Sequence, residues 1–346
     1  LKINKVELQL WVLDNLIWVI VLGFLLINAV FTPMFLTYGN IVNILYHSSI
    51  LSLLVLAQGI VLITRRLDIS LESTLAFAPA IALLLSTQWL PFNLDQYTVV
   101  VAILLVGGLV GYFNGFMISK IGINPLLQTI AMLILLRGLV KYLIPSPFYP
   151  VPNTISYLGQ ARTFGNIPLV VILVIIIYIL FHFLLQKTPF GRRFVATGGN
   201  ERASYVMGIN TDKMIILAFV IAGVLAAIAG IIAVGRQGAM NNNVGDGMVL
   251  LSFAGAILGG VALEGGKGTA LGMFGGALLL GMFSNSLNLI GVNVQLMYAS
   301  KGALILVAIV IERMKVRLRN NILHKEQMQK LLYTRESEIA SEGCDV

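Results

Sequence analysis

The chain has 346 residues, of which 58% are hydrophobic and 11% charged, with a mean hydropathy of +0.91 and a formal net charge of +8. Soluble domains carry about a quarter of their residues as charges, so this chain has too few polar groups to cover a soluble globule of its size. Its apolar runs are continuous rather than alternating, which argues against a β-barrel and for an all-α, multi-pass membrane protein.

Ten apolar stretches follow one another, at roughly 13–32, 42–64, 71–90, 97–118, 124–144, 167–185, 214–235, 249–263, 269–290 and 294–312. The first lies behind "LKINKVELQLWVLDN", which has no small-residue cleavage site, and reads as an uncleaved helix. The second contains the polar "NILYHSS" and is a candidate for a broken helix. The eighth is short and Gly-rich, a candidate for a partial or tilted helix.

Charge tests this count. With the N-terminus in the cytosol, the inside segments hold 18 of the 23 Lys and Arg, from Lys2 and Lys5 through Arg65, Arg66, Lys120 and Arg192 to Arg313–Arg319. Only Arg162 and Arg236 fall clearly outside. The positive-inside rule therefore favours ten spans with both ends cytosolic. The net positive charge follows from this bias and needs no nucleic acid to explain it. The cluster Arg313 to Arg319 adds attraction to anionic lipid, about 1 kcal/mol per charge. The single cysteine, Cys344, permits no intrachain disulfide.

Chemistry inside the membrane is sparse. None of the 15 acidic residues falls in the middle of a predicted span. Proton- or cation-driven carriers usually hold an intramembrane carboxylate, so this pattern argues against a secondary transporter and against a membrane hydrolase. Arg137 and Lys301 are the notable intramembrane charges. Each lines a polar pathway, pins helices together or snorkels to the nearer surface, and a structural hydrogen-bonding role is better supported than substrate contact. His47 and His182 are too isolated for a metal site and read as packed neutral side chains.

The longest polar connection is "QKTPFGRRFVATGGNERASYVMGINTDKM", Gln186 to Met214. It predicts a short helix that Asn200 caps, with Glu201 in its first turn and Gly208 at its end. Two stretches also echo each other, Val106 to Val140 and Phe274 to Val307, each with a Gly pair and an Ile-Gly-hydrophobic-Asn turn. In the ten-span topology "IGIN" is cytosolic and "IGVN" external, so the repeats are inverted, as in many transporter folds. "GGVALEGGKGT" (Gly259 to Thr269) has the glycines and lysine of a phosphate loop. Val261 and Gly268 break the pattern, so ATP is not bound by that motif.

Several of these stretches resemble the permease subunits of bacterial ATP-binding-cassette (ABC) importers for monosaccharides, the ribose, xylose, arabinose and autoinducer-2 group. The matching motifs are "FLTYGNIVNIL", "GIVLITRRLDISLES", "LLRG", "TPFGRRFVATGGNERASYVMGIN", "AGVLAAIAGII", "ILGGVALEGGKGTALG" and "NSLNLIGV", in order between Phe31 and Arg313. The resemblance implies a ten-helix fold of the vitamin-B12-permease kind with no cofactor of its own. It implies an ATPase subunit that binds ATP, a separate substrate-binding protein, a second permease copy or paralogue, and a bacterial inner-membrane location. It also implies that residues 186–213 couple to the ATPase through Gly199, Asn200, Glu201, Ala203, Gly208 and Asn210. An ion-driven carrier, or an ABC permease for amino acids or nucleosides, is the alternative.

The chain departs from the family in places. Where the family carries Gly-Gly-Ile-Asp-Leu-Ser-Val-Gly-Ser, this chain has Arg65, Arg66 and Glu72 at the glycine positions, keeping Asp68, Ser70 and Ser73. Asp68 is expected to cap the next helix, and Asp68 and Ser70 join Arg137 and Lys301 as pathway or helix-pinning candidates. Glu72 is expected to pair with Arg65 or Arg66. Val249 and Leu251 stand where relatives often carry acids. Residues 1–319 form the permease domain, and 320–346 a polar cytosolic tail.

Overall fold

The computed structural model describes residues 11–13, 15–89, 94–149 and 151–342. Lys2, Lys5 and Cys344 lie outside the described residues. The fold is helical throughout, with no strand among the described residues beyond isolated bridges such as Phe148 with Met240. In chain order the main helices are α1 Leu16–Phe31, α2 Tyr38–Ile63, α3 Leu71–Leu84, α4 Gln96–Ser119, α5 Pro125–Leu143, α6 Asn153–Gln160 and α7 Leu169–Lys187. There follow α8 Pro189–Gly199, α9 Glu201–Val206, α10 Thr211–Gln237, α11 Met248–Leu258, α12 Ala270–Leu289 and α13 Val294–Glu342.

Seven of the described helices are long and apolar enough to cross a membrane: α2, α4, α5, α7, α10, α12 and the stretch Gln295–Lys325 of α13. The other three predicted spans are shorter apolar helices, Leu16–Phe31, Leu71–Thr87 and Met248–Leu258. The second span is continuous, and the two serines of its suspected break bond within the helix. Ser48 and Ser49 donate to the carbonyls of Ile44 and Leu45. The eighth span is the partial helix its glycines suggested.

Helix α2 is the hub. Every residue from Ser48 to Ile63 is buried, as expected of a helix that is apolar on all sides. It packs on α10, α11 and α12. Helices α4 and α10 approach more closely through small residues, Gly107, Gly111 and Gly115 meeting Gly223, Phe219 and Ile216. A β-carbon on Gly107 would stand 2.5 Å from the Gly223 carbonyl oxygen. Small residues are what let backbones pack this tightly in lipid.

One end of the bundle gathers the basic connections. There Arg66 pairs with Glu201 and Lys120 with Asp212, and the Gly266 amide donates to the Ile63 carbonyl at 2.9 Å. The two echoed turns share a local geometry. Gly122 and Gly291 both have left-handed φ, +81° and +77°. Asn124 and Asn293 both cap the next helix, accepting from Leu126 and Leu296 N–H at 2.9 and 2.8 Å. Helix α13 does not stop where the tail was expected to begin. It runs unbroken for 49 residues, about 73 Å at the helical rise.

Candidate functional site

The polar connection folds as two helices rather than one. Thr188 accepts the Gly191 N–H and Pro189 takes the first position of α8, a preorganised start. Asn200 then ends α8 and caps α9, its side chain accepting the Ala203 N–H at 2.9 Å. Glu201 lies in the first turn of α9, and Gly208 (φ +84°) turns the chain out of it. Asn210 caps α10 through the Lys213 N–H at 3.0 Å.

This unit is anchored from three sides. Glu201 Oε2 lies 2.8 Å from Arg66 Nη2, which ties α9 to the connection between α2 and α3. Gly198 sits on the end of α2, where a β-carbon would overlap the Ile63 carbonyl oxygen. Gly199 faces open space on its own β side, but Gly266 packs onto its Cα. The loop that imitates a phosphate loop is thus a packing element, with its Gly266 N–H already given to Ile63. The tip of the unit is exposed and apolar: Tyr205, Val206 and Met207 are 70–81% exposed. These three, and Gly198, were not among the residues expected from the sequence. The Tyr-Val-Met run at the end of a capped polar helix was the available signal.

The second arrangement joins the two short helices. Helices α3 and α11 meet near their N-termini, where Glu72 Oε2 accepts the Val249 N–H at 3.0 Å. Arg137 of α5 holds the junction. Its Nη1 donates to the carbonyls of Val244 (3.0 Å) and Asn242 (3.3 Å), and its Nη2 to the Glu72 carbonyl (3.4 Å). The same Nη2 lies 2.9 Å from Asp246 Oδ1 and 3.6 Å from Glu72 Oε1. Arg137 therefore pins α3, α5 and the connection into α11. Glu72 pairs with neither Arg65 nor Arg66. It starts a helix that points away from them, while Arg66 is taken by Glu201.

Two carboxylates thus converge on Arg137, which the sequence placed inside a span. The eighth span, read as short, is shorter still: α11 begins two residues after Asp246 and has only 11 residues. At 1.5 Å per residue its N-terminus stands about 16 Å from its far end, half of a ~30 Å hydrocarbon core. Relatedness decides between the transport classes, and it does not favour an ion-coupled carrier.

Asp68 and Ser70 form a buried relay. The backbone N–H and the hydroxyl of Ser70 both donate to Asp68 Oδ1, at 2.8 and 2.6 Å. Asn114 Nδ2 donates to Ser70 Oγ at 2.9 Å, and Gln128 Nε2 to Asn114 Oδ1 at 3.3 Å. Asp68 closes a turn onto Ser70 instead of capping α3, because it lies two residues before the cap position, which Ser70 occupies. Burial pushes its carboxyl up to about 6, against the lowering effect of the Ser70 hydrogen bonds.

Lys301 pins no second helix by a hydrogen bond or ion pair among the described residues. Its amine lies 5.5 Å from the Tyr298 ring centroid one turn earlier. His47 is exposed rather than packed, with Arg236 Nη2 2.6 Å from its Nδ1. No group of three or more metal-ligating side chains occurs among the described residues.

Comparison with known proteins places this architecture. Residues 40–309 match the family described as branched-chain amino acid transport system / permease component. The chain is 31% identical to the ribose import permease protein RbsC of Escherichia coli (strain K12), over 88% of this chain and 95% of the relative. It is 30% identical to the L-arabinose transport system permease protein AraH of the same strain, over 85% and 88%. It is 26% identical to the galactose/methyl galactoside import permease protein MglC of Salmonella typhimurium, over 90% and 98%. No solved structure matches the chain. The family match spans well over half of the sequence, and this chain belongs to that permease family as a multi-pass membrane component of transport, not an enzyme.

Proposed function

We propose that the chain is the transmembrane subunit of a bacterial ABC importer for monosaccharides, working in the inner membrane with a separate ATPase and a substrate-binding protein. The observation that carries this reading is the full-length relatedness to ribose, arabinose and galactose permeases, together with a rigid polar unit at the basic end of the bundle. ATP is bound by the partner subunit. The ten-span topology with both ends cytosolic, a vitamin-B12-permease-like fold with inverted repeats, and a second permease copy or paralogue complete the assignment. The matching geometry of the two echoed turns, and two short helices at corresponding places in the two halves, support the repeat.

Residues 186–213 are the coupling segment. Tyr205, Val206 and Met207 enter a groove of the ATPase, and Gly199, Asn200, Glu201, Ala203, Gly208 and Asn210 fix the shape that presents them. The Arg66–Glu201 pair and the Gly198–Ile63 contact carry motion from this unit to α2 and α3, because a packed unit moves as a body where a loop would yield.

Affinity purification of the tagged chain with its native membrane partners tests the assignment. An ATPase subunit should co-elute in about equal amount with the permease. Replacing Asn200 and Glu201 by alanine should leave insertion intact and separate ATP hydrolysis from uptake. Uptake by the purified chain alone, without ATP, would overturn the importer reading and favour an ion-driven carrier.

A further inference from the structure

We propose that Asp246 and Asn243 form a solute-contact site halfway across the membrane, where they hydrogen-bond the hydroxyl groups of a neutral polyhydroxylated solute. The proposal rests on the transport reading above and gives it a location.

Two independent rulers set the depth. Helix α11 ends at the basic end of the bundle, where Gly259 packs on Gly272 in the first turn of α12. Its first residue, Met248, lies about 16 Å above that end. Helix α5 starts at the same end with Pro125, next to Lys120 and Asn124, and Arg137 lies 12 residues further on, about 18 Å up. Asp246 sits two residues before α11 and bonds Arg137, so both rulers put it near the midplane of a ~30 Å core.

The Asp246 side chain is nonetheless 47% exposed, and Asn243 is exposed beside it. A carboxylate facing lipid at this depth costs roughly 2.5–3.5 kcal/mol on insertion scales. Arg137 does not cancel that cost, because one guanidinium is shared between Glu72 and Asp246 and the cluster keeps a net negative charge. The face that Asp246 presents is therefore wet, which at mid-membrane means the solute path.

The free groups define what fits. Asp246 Oδ1 is held by Arg137, while Oδ2 has no donor among the described residues. The Asn243 side chain is likewise unpaired; its backbone alone is tied down, the N–H to Asn241 Oδ1 at 3.1 Å and the carbonyl accepting the Asp246 N–H at 3.2 Å. Gly247, in left-handed φ (+75°), leaves the adjoining backbone uncovered. An acceptor-only carboxylate next to an amide suits a row of hydroxyls, and the net negative charge rejects anions.

The test uses the whole transporter, with its ATPase and binding protein, and Cys344→Ser as background. In Asn243→Cys, a membrane-impermeant thiosulfonate should modify the cysteine. Ribose, arabinose or galactose, whichever the complex imports, should slow the reaction about tenfold at about ten times its dissociation constant. Asp246→Asn should lower uptake in a complex that still assembles with its ATPase. No modification of Asn243→Cys, modification that no sugar slows while uptake proceeds, or undiminished uptake by Asp246→Asn would each overturn the site. An unsubstituted complex that imports no monosaccharide with ATP would overturn the transport reading and the site together.

Discussion

The carboxylate of Glu72 accepts the backbone N–H of Val249 across 177 residues of sequence, at 3.0 Å. That one bond joins the N-terminal ends of the two short helices in the two halves of the chain. It also satisfies an N–H that no helix carbonyl can reach. Discontinuous helices of this kind mark substrate sites in many transporters. Glu72→Ala would orphan the Val249 N–H and leave Asp246 as the one carboxylate beside Arg137. It should cost about 2–4 kcal/mol, read as a lower unfolding midpoint of the purified protein in detergent. Glu72→Gln keeps the acceptor and should cost clearly less. Equal midpoints for the two variants would show that the hydrogen bond contributes nothing beyond the charge.

Gly198 and Gly199 are neighbours with opposite demands. A β-carbon at Gly198 meets the Ile63 carbonyl oxygen and the Gly266 amide, both backbone atoms that cannot turn aside. At Gly199 a β-carbon meets nothing within 4 Å. Gly198→Ala should therefore cost about 1–3 kcal/mol and loosen the coupling unit from α2. Gly199→Ala should stay within about 0.5 kcal/mol. Limited proteolysis between Lys187 and Asn210 reads the difference directly. Cleavage of both variants at the same rate would remove the steric argument.

Arg65 occupies left-handed backbone at φ +62°, at a position where the family's motif carries glycine. The conformation strains a residue with a β-carbon by roughly 1 kcal/mol or more. Arg65→Gly should leave the unfolding midpoint unchanged or raise it, since the greater freedom of the unfolded glycine offsets part of the relief. Arg65→Val should lower it, because a β-branched side chain tolerates positive φ worst. A stabilised valine variant would mean that the turn has relaxed to another geometry.

The residues that follow local rules were legible in the sequence. Asn200, Gly208 and Asn210 cap or end helices because their side chains or backbone freedom act within a few positions. Arg66 and Lys120, assigned to one side from the sequence, do lie at one end of the bundle, paired with Glu201 and Asp212. What the sequence concealed was convergence. An apolar run does not reveal which side chains its ends bring together, so Glu72 and Asp246 read as unrelated acids although Arg137 lies against both. Partner choice was equally hidden. Arg66 has acids at Asp68 and Glu72 close by in sequence, yet the fold delivers Glu201 to it from 135 residues away.

Asp68 gives the fold a pH dependence with a definite sign. Its folded value, about 6, stands above the ordinary 3.8, so the folded state holds the proton more tightly than the unfolded one. Stability from this group is therefore full below about pH 4 and declines as pH rises to about 6, by roughly 3 kcal/mol in all. Asp68→Asn keeps an oxygen for the Ser70 N–H and hydroxyl and removes the titration. The variant should lose the part of the slope between pH 4 and 6 that the native protein shows, and should be the more stable of the two at pH 7. Unfolding midpoints of both proteins across that range decide it. Parallel curves would mean that the relay through Ser70, Asn114 and Gln128 hydrates the carboxylate enough to hold its charge at no cost.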